Sequence, residues 1–237
     1  MSRPVHSPEP SSPDEKLSAL AEFAAGAGHE INNPVATISG YVQQLLPGER
    51  DPDRVQALVT IGAQALRIRD MIGDLMLFAR PPIPAPVRLD LQLVASEVVG
   101  RFQDEARTRQ CRLILTPGGP LPVRADPAHI RTLFSALLRN GIEAAAGGGQ
   151  VVLEGSQFMH EGRPSARFVW TDTGPGLKPQ ELEHLFDPFF SGRQAGRGLG
   201  FGLAKAWRIA TLHDAELRVA SPAGHGAVFS LIWPLDS

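Results

Sequence analysis

Apolar residues recur at spacings of three, four and seven through Leu17, Leu20, Ala24, Ile31, Val35, Ile38, Val42 and Leu45, as on one face of an amphipathic helix. The pattern begins at about Asp14, and Pro47-Gly48 ends it. After Asp51-Pro52 it resumes with Val55, Leu58, Ile61, Ala65, Ile68, Ile72 and Leu75 and stops at Pro81-Pro82. Two helices of about 30 residues, each ~45 Å long at 1.5 Å per residue, make a helical hairpin over residues 14–80. A lone hairpin cannot cover stripes this long on both helices. Pairing two hairpins into a dimeric four-helix bundle is the simplest remedy, so the pattern predicts a homodimer.

Pro81-Pro82-Ile83-Pro84-Ala85-Pro86 reads as a semi-rigid polyproline-like spacer, and 81–87 is taken as the linker between domains. Beyond it the periodicity changes class. Residues 89–108 predict a helix, 111–116 and 121–124 strands, and 126–146 a second helix. Strands over 150–158 and 165–171 follow, joined by a turn at Glu161-Gly162. A glycine-punctuated loop then leads to a helix at about 201–212 and a closing pair of strands, 215–220 and 226–233. Helices with an antiparallel-leaning sheet over 88–237 give an α+β two-layer sandwich. Residues 1–13, with four prolines and four serines, predict a disordered tail.

Composition narrows the function classes. The chain is 43% apolar with a net charge of −2, enough to bury a core and too balanced for a nucleic-acid surface or a polybasic anchor. Nowhere is there a run of ~18 apolar residues, so the sequence predicts a soluble, cytoplasmic protein without a membrane span. The single cysteine, Cys111, lies in Cys-Arg-Leu-Ile-Leu and reads as a structural thiol in a strand.

The candidate chemistry lies at polar interruptions of these patterns. Gly28-His29-Glu30-Ile31-Asn32-Asn33-Pro34 puts an imidazole beside a carboxylate, the pairing best suited to take and give up a group near neutral pH. At 100° per residue His29 lies roughly 200° from Ile31 and 140° from Ala24, which predicts the solvent face rather than the stripe. Pro34 removes a backbone donor inside the helix, leaves the Glu30 carbonyl without its helical partner, and predicts a kink. In the second domain, Asp172-Thr173-Gly174-Pro175-Gly176 follows a strand. A carboxylate there can accept from an exocyclic amine such as that of adenine, although the same pattern also serves as a tight turn. Gly196-Arg197-Gly198-Leu199-Gly200-Phe201-Gly202 opens onto a helix, whose free N–H groups suit an anion. It is neither the dinucleotide fingerprint nor a P-loop. Asn140 and Glu143, three apart on one helix, share a face and could meet a hydrated Mg²⁺, or be only the polar face of a core helix.

Together these stretches resemble the sensor histidine kinases of two-component signalling, over nearly everything after the tail. His29-Glu30-Ile31-Asn32-Asn33-Pro34 is similar to the phospho-acceptor box, Asn140 to the asparagine box, and Asp172-Thr173-Gly174-Pro175-Gly176 to the first glycine box. Phe186-Asp187-Pro188-Phe189-Phe190 is similar to the phenylalanine box and Gly196 to Gly202 to the second glycine box. The resemblance implies a Bergerat-type ATP-binding sandwich joined to a helical bundle, with ATP and Mg²⁺ as cofactors.

Carried onto these positions, the resemblance makes His29 the phosphoacceptor, Glu30 its general base, Asn140 the Mg²⁺ ligand and Asp172 the adenine reader. Gly174 and Gly176 would form the floor and hinge of a lid over about 176–197. Gly196, Gly198, Gly200 and Gly202 would form the phosphate loop, Phe190 would pack the lid, and Arg193 could reach a phosphate. Glu30-x-x-Asn33 matches the family's phosphatase pattern, with Asn33 orienting water. The partners implied are the receiver domain of a separate response regulator, a second copy of the chain, and a sensor acting in trans. The sequence departs from the family at Ala136, one turn before Asn140, where many members carry a second asparagine and related ATPases a glutamate base. It departs again at Arg197 and Phe201, which replace small and aliphatic residues. A catalytically degenerate scaffold that binds nucleotide or only a partner is the rival reading.

Overall fold

The computed structural model describes residues 13–79, 82–188, 190, 200–222 and 225–236, without the side chains of 13–27, 29, 78 and 79. The predicted tail, up to residue 12, lies outside the described residues. The chain divides after Pro82 into two compact units.

In the first unit α1 (Pro13–Leu45) and α2 (Pro52–Ala79) are joined by a short 3-10 turn at Leu46–Gly48. Gly28 lies against the Met76 side chain and Gly62 against that of Val42, which fixes an antiparallel hairpin. The absence of a side chain at Gly28 is what lets α2 come this close: a Cβ there would sit 2.7 Å from Met76 Sδ. The predicted stripe divides in two. Val35, Val42, Ala65 and Leu75 are buried in the seam between the helices, whereas Ile31, Ile38, Leu45, Ile61 and Ile68 remain exposed. Leu17, Leu20 and Ala24 have their side chains outside the described set. Helix α1 runs through Pro34 as one helix. Pro34 has no N–H to give the Glu30 carbonyl, and beside it the Thr37 hydroxyl donates to the Asn33 carbonyl at 3.0 Å.

The second unit is the expected two-layer sandwich. Its sheet has the order β2-β4-β5-β7-β6, from β2 (Arg112–Leu115), β4 (Gln150–His160), β5 (Arg163–Asp172), β6 (Glu216–Ala220) and β7 (Val228–Pro234). All pairings are antiparallel except β2 with β4, which is parallel. Strand β7 thus lies inside the sheet although it comes last in sequence. Helices α3 (Leu91–Thr108), α4 (Pro127–Ala144) and α6 (Gly202–Leu212) pack on one face. Phe134 of α4 meets Trp170 of β5 edge-on with centroids 4.8 Å apart, and Phe168 lies 5.1 Å away. The inward residues Val151, Leu153, Phe229, Leu231 and Trp233 complete that core, while Glu154, Arg167 and Arg218 stand exposed on the other face.

Two elements escaped the periodicity. Val87–Asp90 forms β1, paired antiparallel with β3 (Pro122–Ala125), so the helix expected from residue 89 begins at Leu91. Asp90 ends the strand and caps the helix, its carboxylate accepting from Gln92 N at 2.9 Å. A short helix, α5 (Pro179–Glu183), sits inside the expected lid. Its Glu181 carboxylate accepts from Lys178 N while Glu181 N donates to the Lys178 carbonyl.

Candidate functional site

Strand β5 ends at Asp172, and the sequence turns there because Thr173 and Gly174 fold back on it. The Asp172 carboxylate is buried, and its Oδ1 accepts from Gly174 N at 2.8 Å and Ala227 N at 3.3 Å. Those donors fix the carboxylate at the strand end. Thr173 ties the turn to β4: its hydroxyl accepts from Gln150 N at 2.9 Å and its N–H donates to the Gln150 carbonyl at 3.1 Å. Burial pushes the Cys111 thiol up, and the charge of Asp172 pushes it further. Cys111 itself lies just before β2 rather than within it, buried and with its N–H on the Ala106 carbonyl.

The C-terminal half of α4 borders the same turn. A Cβ on Gly174 would come 2.8 Å from the Cβ of Ala144, so the glycine box and α4 touch at that point. Asn140 lies one turn before Ala144 on the same side of the helix and is half-buried, as is Glu143. Asp126 starts α4, its Oδ1 accepting from Ala128 N at 2.8 Å and His129 N at 3.1 Å.

Helix α6 is placed by its far end. His213, just past α6, meets the buried His129 in the first turn of α4, with Nδ1 of His129 and Nε2 of His213 3.3 Å apart, and its ring lies 5.2 Å from that of Trp233. Burial pulls the His213 pKa below its ordinary value, and the neighbouring His129 adds to this against Asp126 and Asp214. Since α6 packs along α4 and its end meets α4's beginning, the two run antiparallel. The 11 residues of α6 span about 16 Å at 1.5 Å per residue, which brings its first turn level with Asn140. That first turn holds no acidic residue, and Gly200, with φ +73°, leads into it. The N–H groups of that turn, which have no acceptor within the helix, and the helix dipole therefore favour an anion at the Asn140 level. Phe201, the departure from the aliphatic pattern, is buried and serves as core.

The Gly176 turn, where the expected lid begins, is held from the other side. Gly176 takes φ +77°, and a Cβ there would overlap the His225 carbonyl and lie 2.8 Å from Ser221 Oγ. The Ser221 hydroxyl accepts from Leu177 N at 2.8 Å and donates to the Gly226 carbonyl at 3.2 Å. A Cβ on Gly226 would overlap the Asp172 carbonyl. Ser221 and Gly226 thus support the carboxylate and the Gly176 turn, and sequence reasoning missed both. The available signal was a glycine just before a strand, which is also the mark of an ordinary turn. In the phenylalanine box, Phe190 folds back so that its ring lies 5.8 Å from His184, and His184 pairs with Asp187 at 2.8 Å.

In the helical unit Gly28 is buried, while Glu30 and Asn33, three apart on one face, are exposed. The His29 side chain, Arg193, Gly196 and Gly198 lie outside the described residues, as do residue 189 and the stretch 191–197 of the expected lid. No group of three or more His, Cys, Asp or Glu side chains that could hold a metal occurs among the described residues, and none of their helices is long and apolar enough to cross a membrane.

Residues 125–237 match the family model "Histidine kinase-, DNA gyrase B-, and HSP90-like ATPase", and 19–82 match "His Kinase A (phospho-acceptor) domain". The signal transduction histidine-protein kinase AtoS of Escherichia coli (strain K12) is 29% identical over 223 residues, 94% of this chain and 36% of that protein. Sporulation kinase C of Bacillus subtilis (strain 168) is 29% identical over 226 residues, 94% of this chain and 51% of that protein. The chain therefore spans about a third to a half of the length of these relatives. Full-length ShkA, solved in complex with AMPPNP, shares the fold with a TM-score of 0.78 at 20% identity over 92% of this chain and 46% of that one. The catalytic domain of histidine kinase ThkA in a nucleotide-free form does so with a TM-score of 0.55 at 24% identity over 63% of this chain and 95% of that one.

Proposed function

We infer that this protein is an ATP-dependent protein-histidine kinase phosphorylated on its own His29, because the chain belongs to the sensor histidine kinases of two-component signalling. The observation that carries the reading within the molecule is the convergence of Asp172, Asn140 and the first turn of α6 at one end of α4. These are the kinds of group that a purine amine, a cation and a polyphosphate need.

In this reading Asp172, held by Gly174 N and Ala227 N, accepts from the adenine amine. The first turn of α6, which opens at Gly202 and has Gly198 and Gly200 before it in sequence, receives the phosphates, and Arg193 adds a positive charge. Phe190 and Gly176 border the lid. Asn140 and Glu143 offer hard oxygens, and with no all-protein cage among the described residues they suit Mg²⁺, which takes one or two protein oxygens and completes its shell with water and phosphate. Bound there, Mg²⁺ supplies neutralisation of the charge that develops on the phosphates. An imidazole nitrogen of His29 attacks the γ-phosphorus in line as the bond to the β,γ-bridging oxygen breaks, and ADP leaves. Glu30 takes the ring proton. Positioning and charge neutralisation carry most of the rate, as in phosphoryl transfer generally.

The phosphoryl group then passes to an aspartate of a separate response regulator. Glu30 and Asn33, exposed on one face of α1, support removal of that phosphoryl group by the same surface. The exposed Ile31, Ile38, Leu45, Ile61 and Ile68 support pairing of two hairpins into the four-helix bundle. We place the divisions at 14–80 for the phospho-acceptor hairpin, 81–87 for the linker and 88–237 for the ATP-binding domain, acting in the cytoplasm on a signal received in trans. Incubation with labelled ATP is expected to give an acid-labile, alkali-stable phosphoprotein, and an undiminished label in His29→Gln would sink the assignment.

A further inference from the structure

Asp126 does more than start α4. While its Oδ1 caps the helix through Ala128 N and His129 N, its Oδ2 accepts from Ala85 N at 3.0 Å, across 41 residues of sequence. Ala85 lies in the proline-rich spacer, where Pro84 and Pro86 have no N–H at all, so its amide is the one donor between Ile83 and Val87. Apolar burial does not fasten this stretch, since Ile83 is 93% exposed. The chain after it is secured separately, by the β1–β3 pairing, by Arg124 Nη2 on the Pro86 carbonyl at 3.5 Å, and by Arg88 with Asp236 at 3.5 Å. The donation from Ala85 also holds the Asp126 carboxyl below its usual range and is the largest cause of that shift.

We propose that Asp126 is a positioning residue of the kinase reaction: it clasps the spacer at Ala85 and so sets the length of linker through which the ATP-binding domain is delivered to His29. This rests on the kinase reading above. With the clasp closed, the spacer counted from Pro81 ends at Pro84; with it open, the spacer runs to Pro86. The two added residues give about 6 Å of polyproline-like reach at 3.1 Å per residue. In-line transfer tolerates little misplacement, and effective concentration falls as a linker lengthens past its best span.

Two variants open the clasp from opposite sides. Ala85→Pro removes the donor and leaves the α4 cap intact; Ala85 precedes Pro86, which already holds it in the extended region that proline adopts. Asp126→Asn keeps a good helix cap and presents an amide NH₂ where Ala85 needs an acceptor. In the full chain at saturating ATP, both are expected to slow His29 labelling on the order of threefold to tenfold, with ATP affinity and melting temperature unchanged. An unchanged or faster rate, or a slower rate matched by weaker ATP binding, overturns the proposal. Amide exchange provides a readout that needs no catalysis: the Ala85 N–H is expected to be protected in the parent and released in Asp126→Asn, and an unprotected amide in the parent also overturns it. Were the parent to form no phosphohistidine, the kinase reading would fail while the exchange arm still decided the clasp.

Discussion

Replacing Gly226 by alanine tests the geometry of the Asp172 carboxylate, proposed above to read adenine, without substituting it. A methyl at this position would overlap the Asp172 backbone carbonyl and sit 2.5 Å from Asp172 Oδ1. Ordinary contact begins at 3.4 Å, so Oδ1 must retreat by about 0.9 Å, and backbone cannot yield as a flexible side-chain tip would. The Ala227 N to Oδ1 hydrogen bond, already 3.3 Å long, then breaks, and the Asp172 N to Ala227 carbonyl bond of 3.1 Å is strained. Overpacking at about 1–3 kcal/mol plus one charge-assisted hydrogen bond at about 1.5–3 kcal/mol puts the loss of stability at roughly 2–6 kcal/mol. On the proposed role, a displaced carboxylate also forfeits the hydrogen bond from the adenine amine, again about 1.5–3 kcal/mol, or roughly 10-fold to 150-fold in ATP affinity. Titration with a fluorescent ATP analogue, paired with thermal unfolding, reads both effects. Gly226→Ala binding ATP within twofold of the parent, with the same melting temperature, would refute the close approach and with it the assignment of Asp172.

Two further outcomes follow from burial. His213 has its pKa depressed by burial and by His129, so it contributes stability that is present above about pH 6.5 and is lost as pH falls through the lower, folded value. The melting temperature is expected to drop between pH 7 and 5.5, above the range where carboxylates titrate, and His213→Gln is expected to flatten that slope in scanning calorimetry; an unchanged slope rejects the role. In the hairpin, Ile38→Glu puts an unpaired charge on the exposed apolar face, which in a bundle seam costs several kcal/mol, about a hundredfold or more in dimer affinity. Sedimentation equilibrium showing an equally tight dimer would mean that the bundle uses another face.

The hairpin and the sandwich were legible because their apolar periods are long: a stripe over α1 and α2, and alternation along β4 and β5. What the stripe could not show is its division between a seam at Val35, Val42, Ala65 and Leu75 and an open face at Ile38 and Ile61. Both sets share one spacing, and only the helix crossing separates them. Strand β1 was missed because Val87-Arg88-Leu89-Asp90 is too short to establish a period before α3 begins. The parallel pairing of β2 with β4 was equally invisible, since four residues carry no sign of direction. Asp172, Asn140 and the glycine-rich loop stood out as polar or glycine breaks in apolar runs. Ser221 and Gly226 did not, because their work is done through backbone groups far away in sequence, and the His129–His213 contact joins residues 84 positions apart.

The interior position of β7 also has a consequence for how the molecule is made. Residues 228–234 enter between β5 and β6, and Gly226 and Ala227, which secure Asp172, come with them. During synthesis the residues of the helical hairpin, its exposed apolar face included, leave the ribosome long before that strand does. Pairing of two hairpins, as proposed above, therefore needs only residues that are made before the nucleotide site is complete. On that pairing, assembly can precede competence.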